Sequence, residues 1–354
     1  MERTAADAFR GLVHGDEIVV EAGVQGASGV AAAARLVLTP ETARRLAVQL
    51  SEALARFAPE ALAADAPARG VTPLNAPPDP AAGRAALTLR LVAALGAPRA
   101  HERSFRLAPG VLQANRFLLS LNPGEIPGDG RARVLEVCDR LGMPAELRRQ
   151  AQERFGDAGC VHFGFEEGGS GMLSKLYLER APGAEEKRRA RESGEPLLLH
   201  LAFKWTPEGT GVVSRYHLFP GLSAAAVEER LARIYGGDGI APSLDIARAV
   251  LRLAAPRAPE GVLQYLEVSE EGTARRSFDL NLYDADLQVK DVQSPLFAMR
   301  DRFGVRPGHF QALYDQVRDS RLGHLAGGVH RDGAEFFNVY YGVGGYPRVV
   351  AGLA

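Results

Sequence analysis

The chain has 354 residues, and its 42 Lys and Arg against 43 Asp and Glu leave a formal net charge of -1. With 46% hydrophobic residues it has the balance of a folded globular chain, which excludes a disordered one. Near-neutral charge gives no electrostatic reason to expect nucleic acid or an anionic membrane as partner.

At roughly 150 residues per domain, the length alone suggests two domains. No run approaches the roughly 20 apolar residues of a spanning helix. Met1-Glu2-Arg3-Thr4 lacks an apolar signal core, so a cytoplasmic protein is expected. Cys138 and Cys160 have no metal-ligand spacing, so neither a disulfide framework nor a Cys-based zinc site is expected. Only Lys175, Lys187, Lys204 and Lys290 are lysines. Lys175 and Lys204 fall in strand-like stretches, where a charge needs a reason.

In chain order, Asp16 to Glu21 and Ala34 to Leu38 read as strands. Thr39-Pro40-Glu41 reads as a helix start, with Pro at the first helical position and Leu46, Leu50, Leu54 and Phe57 on one face. From Pro59 to Pro80 the chain reads as an extended connector, since Asn75-Ala76-Pro77-Pro78 forbids a helix. Beyond residue 85, pairs of alternating segments are separated by helical segments. The first strand pair is His101 to Leu107 and Leu112 to Asn122. Helices follow, with Val134, Leu135, Cys138 and Leu141 on one face, then Leu147, Ala151 and Phe155. The second pair is Val161 to Glu166 and Leu173 to Glu179, around a turn at Gly168 to Gly171. The charged stretch Glu185 to Glu195 is expected to be a solvated loop. The third pair is Leu197 to Trp205 and Val212 to Phe219. Helices follow from Ser223 and Ser243. The fourth pair is Val262 to Ser269 and Arg276 to Asp284. Helices follow from Ser294-Pro295 and around Phe310, Leu313 and Val317. The last pair is Leu322 to His330 and Glu335 to Val343.

Hairpins joined by short turns are antiparallel and pair with their neighbours. Ten such strands with helices returning to one face can close into a barrel, which removes exposed edges. The expected class is therefore α+β: a ten-stranded antiparallel barrel of repeated αββα units with helices outside. Residues 86–354 would form the barrel and residues 1–85 a helical or extended segment packed on it, as one domain overall.

Side chains alternate across a strand. In the second strand of three hairpins one phrase recurs: Lys175-Leu176-Tyr177, Asn281-Leu282-Tyr283 and Asn338-Val339-Tyr340. Arg215-Tyr216-His217 is a degraded version. Helices bury their stripes on the apolar face, so the polar and tyrosine face is expected to line the interior. The alternative is that these residues face water. A lumen lined by Arg116, Lys175, Arg215 and Lys204 is costly unless anions or hydrogen-bond partners enter. Tyrosine rings beside those cations attract positive charge. Cations at one level and rings at the next suit a prenyl diphosphate, which ionises to a carbocation that the rings shield from water.

With these residues in place, the sequence resembles the bacterial aromatic prenyltransferases of the ABBA type, especially the indole or tryptophan branch. The carriers are Asn115-Arg116-Phe117-Leu118-Leu119-Ser120-Leu121-Asn122-Pro123-Gly124, Ser174 to Leu178, Val213 to Leu218 and Glu335 to Tyr340. The likeness spans roughly residues 100 to 343. It implies a barrel lumen that holds both substrates and transfer of a dimethylallyl or longer prenyl group to an electron-rich ring. The diphosphate would lie on Arg116, Lys175, Lys204 and Arg215. Tyr177, His217, Tyr283 and Tyr340 would shield the cation, with Asn281 and Asn338 as further lumen groups. Glu102 fits the acidic residue that serves as base or holds the indole N–H.

The resemblance also implies no cofactor beyond the prenyl diphosphate co-substrate and no need for Mg²⁺; no Asp-Asp-x-x-Asp cluster occurs. The partners would be that donor and an aromatic small-molecule or peptide acceptor, with no nucleic acid and no membrane, in a monomer or homodimer. Asn281 and Asn338 stand where the family often has Lys, Arg or Gln, and His217 where Tyr is usual, although a shift of one residue would put Tyr216 there. A non-catalytic carrier on the same barrel, or an enzyme for another anionic metabolite, are the alternatives. Lys175 could instead belong to a rim salt bridge, Arg116 could pair structurally with Glu102, Glu102 could be a solvated strand-end charge, and Lys204 could lie over Trp205 at the surface.

Overall fold

The computed structural model describes residues 8–14, 17–26, 29–38, 80–156, 158–168, 171–236, 241–258 and 263–345. They fall into two compact units, 1–86 and 87–354. In the first, β1 (Ala8–His14), β2 (Glu17–Gly26) and β3 (Gly29–Leu38) pair antiparallel in that order. The two expected strand stretches fall at β2 and β3, and β1 adds a third. The helix expected from Thr39, and all but the end of the connector, lie outside the described residues.

The second unit follows helix α1 (Pro80–Ala93) with strands β4 (Ala100–Ala108), β5 (Val111–Gln113) and β6 (Arg116–Leu121). Helices α2 (Gly130–Arg140) and α3 (Ala145–Glu153) lead to β7 (Ala158–Gly168) and β8 (Gly171–Arg180). Helix α4 (Ala184–Ser193) precedes β9 (Leu197–Trp205) and β10 (Gly211–Phe219). Then come α5 (Ala224–Tyr235), α6 (Pro242–Ala254), β11 (Tyr265–Glu270) and β12 (Arg276–Asn281). The order ends with α7 (Gln293–Arg302), α8 (Pro307–Val317), β13 (Leu322–Val329) and β14 (Glu335–Gly345).

Strands β6 to β14 pair in sequence order, all antiparallel, and β4 pairs with both β6 and β14. Among the described residues, these ten strands therefore close into a barrel in which each has two partners. Short β5 is an addition: it pairs with Arg106 to Ala108, whereas β6 pairs with Ala100 to Arg103. The single strand expected over Leu112 to Asn122 is thus broken at Ala114-Asn115, and its two halves serve different stretches of β4.

The charged stretch expected as a loop is helix α4. Arg188 and Arg189 pair with Glu185, and Arg188 also pairs with Glu192, at helical spacing. Gly194 ends it at φ 72, a left-handed cap that favours glycine. Ser243 does not cap α6, which begins at Pro242. Its buried hydroxyl donates instead to Glu335 Oε2 at 2.8 Å.

The apolar strand faces point outward to the helices. Leu119, Val161, Phe163, Leu176, Leu178, Phe203 and Trp205 join one core with Val134, Leu135, Cys138 and Leu141. Trp205 Nε1 donates to Leu141 O at 2.9 Å, tying β9 to the end of α2. Phe105, Leu107, Phe278, Leu280, Phe337 and Val339 join a second core with residues of α5 to α8. Removing one such ring costs about 3–5 kcal/mol, so this face fixes which side chains turn inward. Among the described residues, no helix is long and apolar enough to cross a membrane.

Candidate functional site

Fixing the apolar face outside sends the alternate residues into the lumen. There the polar side chains sort into three levels along the barrel.

One end is cationic. Arg106 (β4), Arg116 (β6), Lys175 (β8), Lys204 (β9) and Arg275 beside β12 converge there. Glu166 (β7) lies 2.7 Å from Arg116 Nη1 and 2.9 Å from Lys175 Nζ. Arg116 Nε also donates to Ser104 Oγ at 3.3 Å. Burial pushes the Glu166 carboxyl up, but Arg116 and Lys175 together hold it well below the usual carboxylate range. Lys175 is pushed down to about 8, first by burial and then by Arg116, against the pull of Glu166. Lys204 donates to Ser214 Oγ at 2.8 Å. Burial, then Arg275 and Lys175, hold it well below an ordinary lysine. Burial lowers Arg106 to about 10. Arg275 contacts Glu270 at 3.4 Å, and both Arg106 and Arg275 lie over the Phe336 ring. Arg331 also reaches Glu270 at 3.0 Å, so basic side chains outnumber the two carboxylates, Glu166 and Glu270, at this end.

The middle level is aromatic. Tyr177 and Tyr216 are 5.7 Å apart between ring centroids, and Tyr340 follows on β14. Asn338, 6% exposed, aligns with Arg106 in the strand register. Its Oδ1 is buried without a hydrogen-bond partner. An orphaned acceptor of this kind costs free energy unless a ligand or water meets it.

The opposite end is acidic and rich in histidine. Tyr283 OH donates to Glu102 Oε1 at 2.5 Å, and the Tyr283 ring stands edge-on to His324 at 4.8 Å. His324 Nδ1 lies 2.7 Å from Asp279. Burial pushes Glu102 up, partly offset by His324 and Tyr283. Burial lowers His324, but Asp279 and Glu102 outweigh it and raise the imidazole to about 9. Gly323 lets this cluster close, since a side chain there would collide with Glu102 and Tyr283. Across the lumen, His162 Nε2 lies 2.7 Å from Glu179, with His200 beside them.

The structure thus brings Arg116, Lys175, Lys204, Tyr177, Tyr340, Asn338 and Glu102 into the lumen. Three sequence expectations need correction, those for Arg215, His217 and Tyr283. Arg215 points outward and pairs with Glu271. His217 also points outward, into a groove lined with Phe219, Arg230 and Glu267. Their inward neighbours are Ser214 and Tyr216, and a bulge interrupts the β10–β9 register between Tyr216 and His217. Tyr283 reaches inward at the acidic end rather than in the aromatic belt. Asn281 also lies at that end, where its Oδ1 accepts the Tyr283 N–H at 3.1 Å and fastens the turn. The alternatives for Arg116 and Lys204 do not hold either: Arg116 meets Glu166, and Lys204 and Trp205 point to opposite faces. Sequence reading did not single out Glu166, His162, Glu270 or Arg275. Alternation in Val161-His162-Phe163-Gly164-Phe165-Glu166 carried the signal for two of them.

No protein-family model matches the sequence, and no curated protein matches it. Solved structures do. The chain is similar in fold to aromatic prenyltransferases. One is 5-dimethylallyltryptophan synthase from Streptomyces coelicolor, with 17% identity over 68% of this chain and 80% of that chain and a TM-score of 0.49. A second is prenyltransferase PriB in a ternary complex with L-tryptophan and dimethylallyl thiolodiphosphate, with 17% identity over 68% and 79% and a TM-score of 0.49. A third is AnaPT from Neosartorya fischeri, with 16% identity over 71% and 80% and a TM-score of 0.47.

Proposed function

We propose that this chain is an aromatic prenyltransferase that moves a dimethylallyl or longer prenyl group from its diphosphate to an indole or another electron-rich ring. The observation that carries this reading is the polarity of the lumen: excess cations, then tyrosine rings, then a buried carboxylate. In it the diphosphate lies against Arg106, Arg116, Lys175 and Lys204, displacing Glu166 from its two contacts. Fixed cations stabilise the charge that develops on the leaving diphosphate, so no Mg²⁺ is required for that step. As the C–O bond breaks, the allyl cation faces Tyr177, Tyr216 and Tyr340, whose rings stabilise positive charge and exclude water. The acceptor ring lies toward Glu102. Its carbon forms the new C–C bond, and the ring proton then passes to the Glu102 carboxylate acting as base.

The test is incubation of the chain with dimethylallyl or geranyl diphosphate and a panel of indoles and phenols, read by mass spectrometry. The expected result is acceptor mass gain by one prenyl group with stoichiometric diphosphate release, unchanged when Mg²⁺ is withheld.

One observation favours a second reading. Glu166 already pairs with both Arg116 and Lys175 and offsets one of their two charges, which would suit a non-catalytic carrier of a less charged ligand. Tight ligand binding with no product from any donor would support it.

A further inference from the structure

We propose that Cys160, His162, Glu179 and His200 form a binding site for a single zinc-like divalent transition-metal ion in the barrel wall. Three neighbouring strands bring the four residues to one level. Cys160 and His162 are two apart on β7 and share its inner face. Glu179 of β8 stands opposite Cys160, and His200 of β9 stands opposite Glu179. The Cys160 Sγ, a His162 ring nitrogen and a Glu179 carboxylate oxygen all lie within 4.8 Å of one another. His200 Nδ1 is 3.9 Å from Glu179 Oε2 and is buried without a hydrogen-bond partner.

Ligand atoms about 2.0–2.3 Å from one tetrahedral ion lie about 3.3–3.7 Å apart. Cys160, His162 and Glu179 form the converged trio, and His200, 3.9 Å from Glu179, would complete it as a fourth ligand only by turning toward the other two. His162 Nδ1 is 2.7 Å from Ser120 Oγ. That contact holds the ring with Nε2 toward Glu179, the outer hydrogen bond that ligating histidines commonly make. One sulfur, two imidazole nitrogens and one carboxylate oxygen make a borderline-soft set that suits zinc or cobalt and not Mg²⁺ or Ca²⁺. Binding releases the Cys160 thiol proton, and thiolate plus carboxylate then balance the 2+ charge. The site lies at the acidic end of the lumen, away from the cationic end. With all four positions filled by protein it clamps β7, β8 and β9 and takes no part in holding a diphosphate.

The probe is Co²⁺, titrated into the tag-free full chain after metal removal, with no prenyl donor present, so the outcome is independent of the reading above. The expected result is about one equivalent bound, tetrahedral visible bands and a near-ultraviolet thiolate-to-cobalt band, all displaced by Zn²⁺. Cys160→Ser should abolish the near-ultraviolet band, and His200→Gln should weaken binding by about tenfold or more. Far-ultraviolet circular dichroism checks that both variants fold. Absence of binding, a six-coordinate spectrum, or an unchanged near-ultraviolet band in Cys160→Ser would overturn the assignment. Should both variants fail to fold, thermal unfolding of the unmodified chain decides: Zn²⁺ raises Tm if the site exists and leaves it unchanged if it does not.

Discussion

The two ends of the lumen are built from the same strands yet have opposite chemistry. At one end Arg106, Arg116, Lys175, Lys204 and Arg275 outnumber Glu166 and Glu270. At the other, Glu102, Glu179 and Asp279 alternate with His162, His200 and His324. Tyr177, Tyr216 and Tyr340 stand between. Buried charge of one sign is unfavourable without a partner, and each end supplies a partner only in part. The cationic end retains excess positive charge, and the acidic end carries a raised Glu102 held by Tyr283. In the proposed reaction the anionic leaving group would lie at one end and the acceptor that loses a proton at the other.

Substitutions at each end should therefore fail in different ways. The largest effect is expected for Glu102→Gln: a single-turnover rate lower by about 10²–10⁴-fold with donor affinity nearly unchanged, read by rapid quench and calorimetry. Loss of donor affinity instead would erase the distinction between the ends. Lys175→Ala should weaken donor binding by roughly 10–100-fold, the loss of one charge-assisted hydrogen bond of about 1.5–3 kcal/mol, while acceptor binding holds. Equal donor affinity in this variant would remove Lys175 from the site.

The next effect depends on pH. Lys175 in the unliganded chain titrates near 8, so only below that value is its ammonium already present. Donor affinity should fall as pH rises above about 8. The opposite end contributes to stability with its own sign. His324, raised from 6.5 to about 9, stabilises the fold fully below pH 6.5, and this contribution is lost as pH rises through 9. Urea unfolding midpoints across that range read it directly. Smallest of all, Arg215→Ala and His217→Ala should leave donor affinity and turnover within about twofold, because both side chains point away from the lumen. Turnover assays of the two variants check this, and a large loss would mean that the inner face of β10 had been misassigned.

Much of this division is legible in the sequence where alternation is clean. In Ser174-Lys175-Leu176-Tyr177-Leu178 one set is apolar, so the inward residues follow from the need to bury the other face. The barrel order follows from counting hairpins and helices. In β10 the two sets, Val212, Ser214, Tyr216, Leu218 and Val213, Arg215, His217, Phe219, are equally apolar. Periodicity there has no contrast to read, and a bulge adds a change of register. Matching the Lys-x-Tyr phrase to Arg215 and His217 therefore chose the wrong face. Helix α4 is hidden for a different reason: it buries only Ala190 and rests on Arg–Glu pairs, so it has no apolar stripe. The acidic end was legible only in part, because Tyr283 meets Glu102 across 181 positions of sequence. No local pattern marks such a contact.

The most direct measurement uses the scarcity of lysine. Lys175, Lys187, Lys204 and Lys290 are the only four in the chain, so lysine labelled at Cε gives four resonances by NMR. Two belong to the cationic end, while Lys187 lies on α4 and Lys290 pairs with Asp319 outside the lumen. Titration with a non-hydrolysable dimethylallyl diphosphate analogue should shift Lys175 and Lys204 and move the Lys175 titration midpoint upward from about 8. Lys187 and Lys290 should stay in place. Saturating analogue that leaves Lys175 and Lys204 unmoved would contradict the assignment of the diphosphate to that end of the barrel.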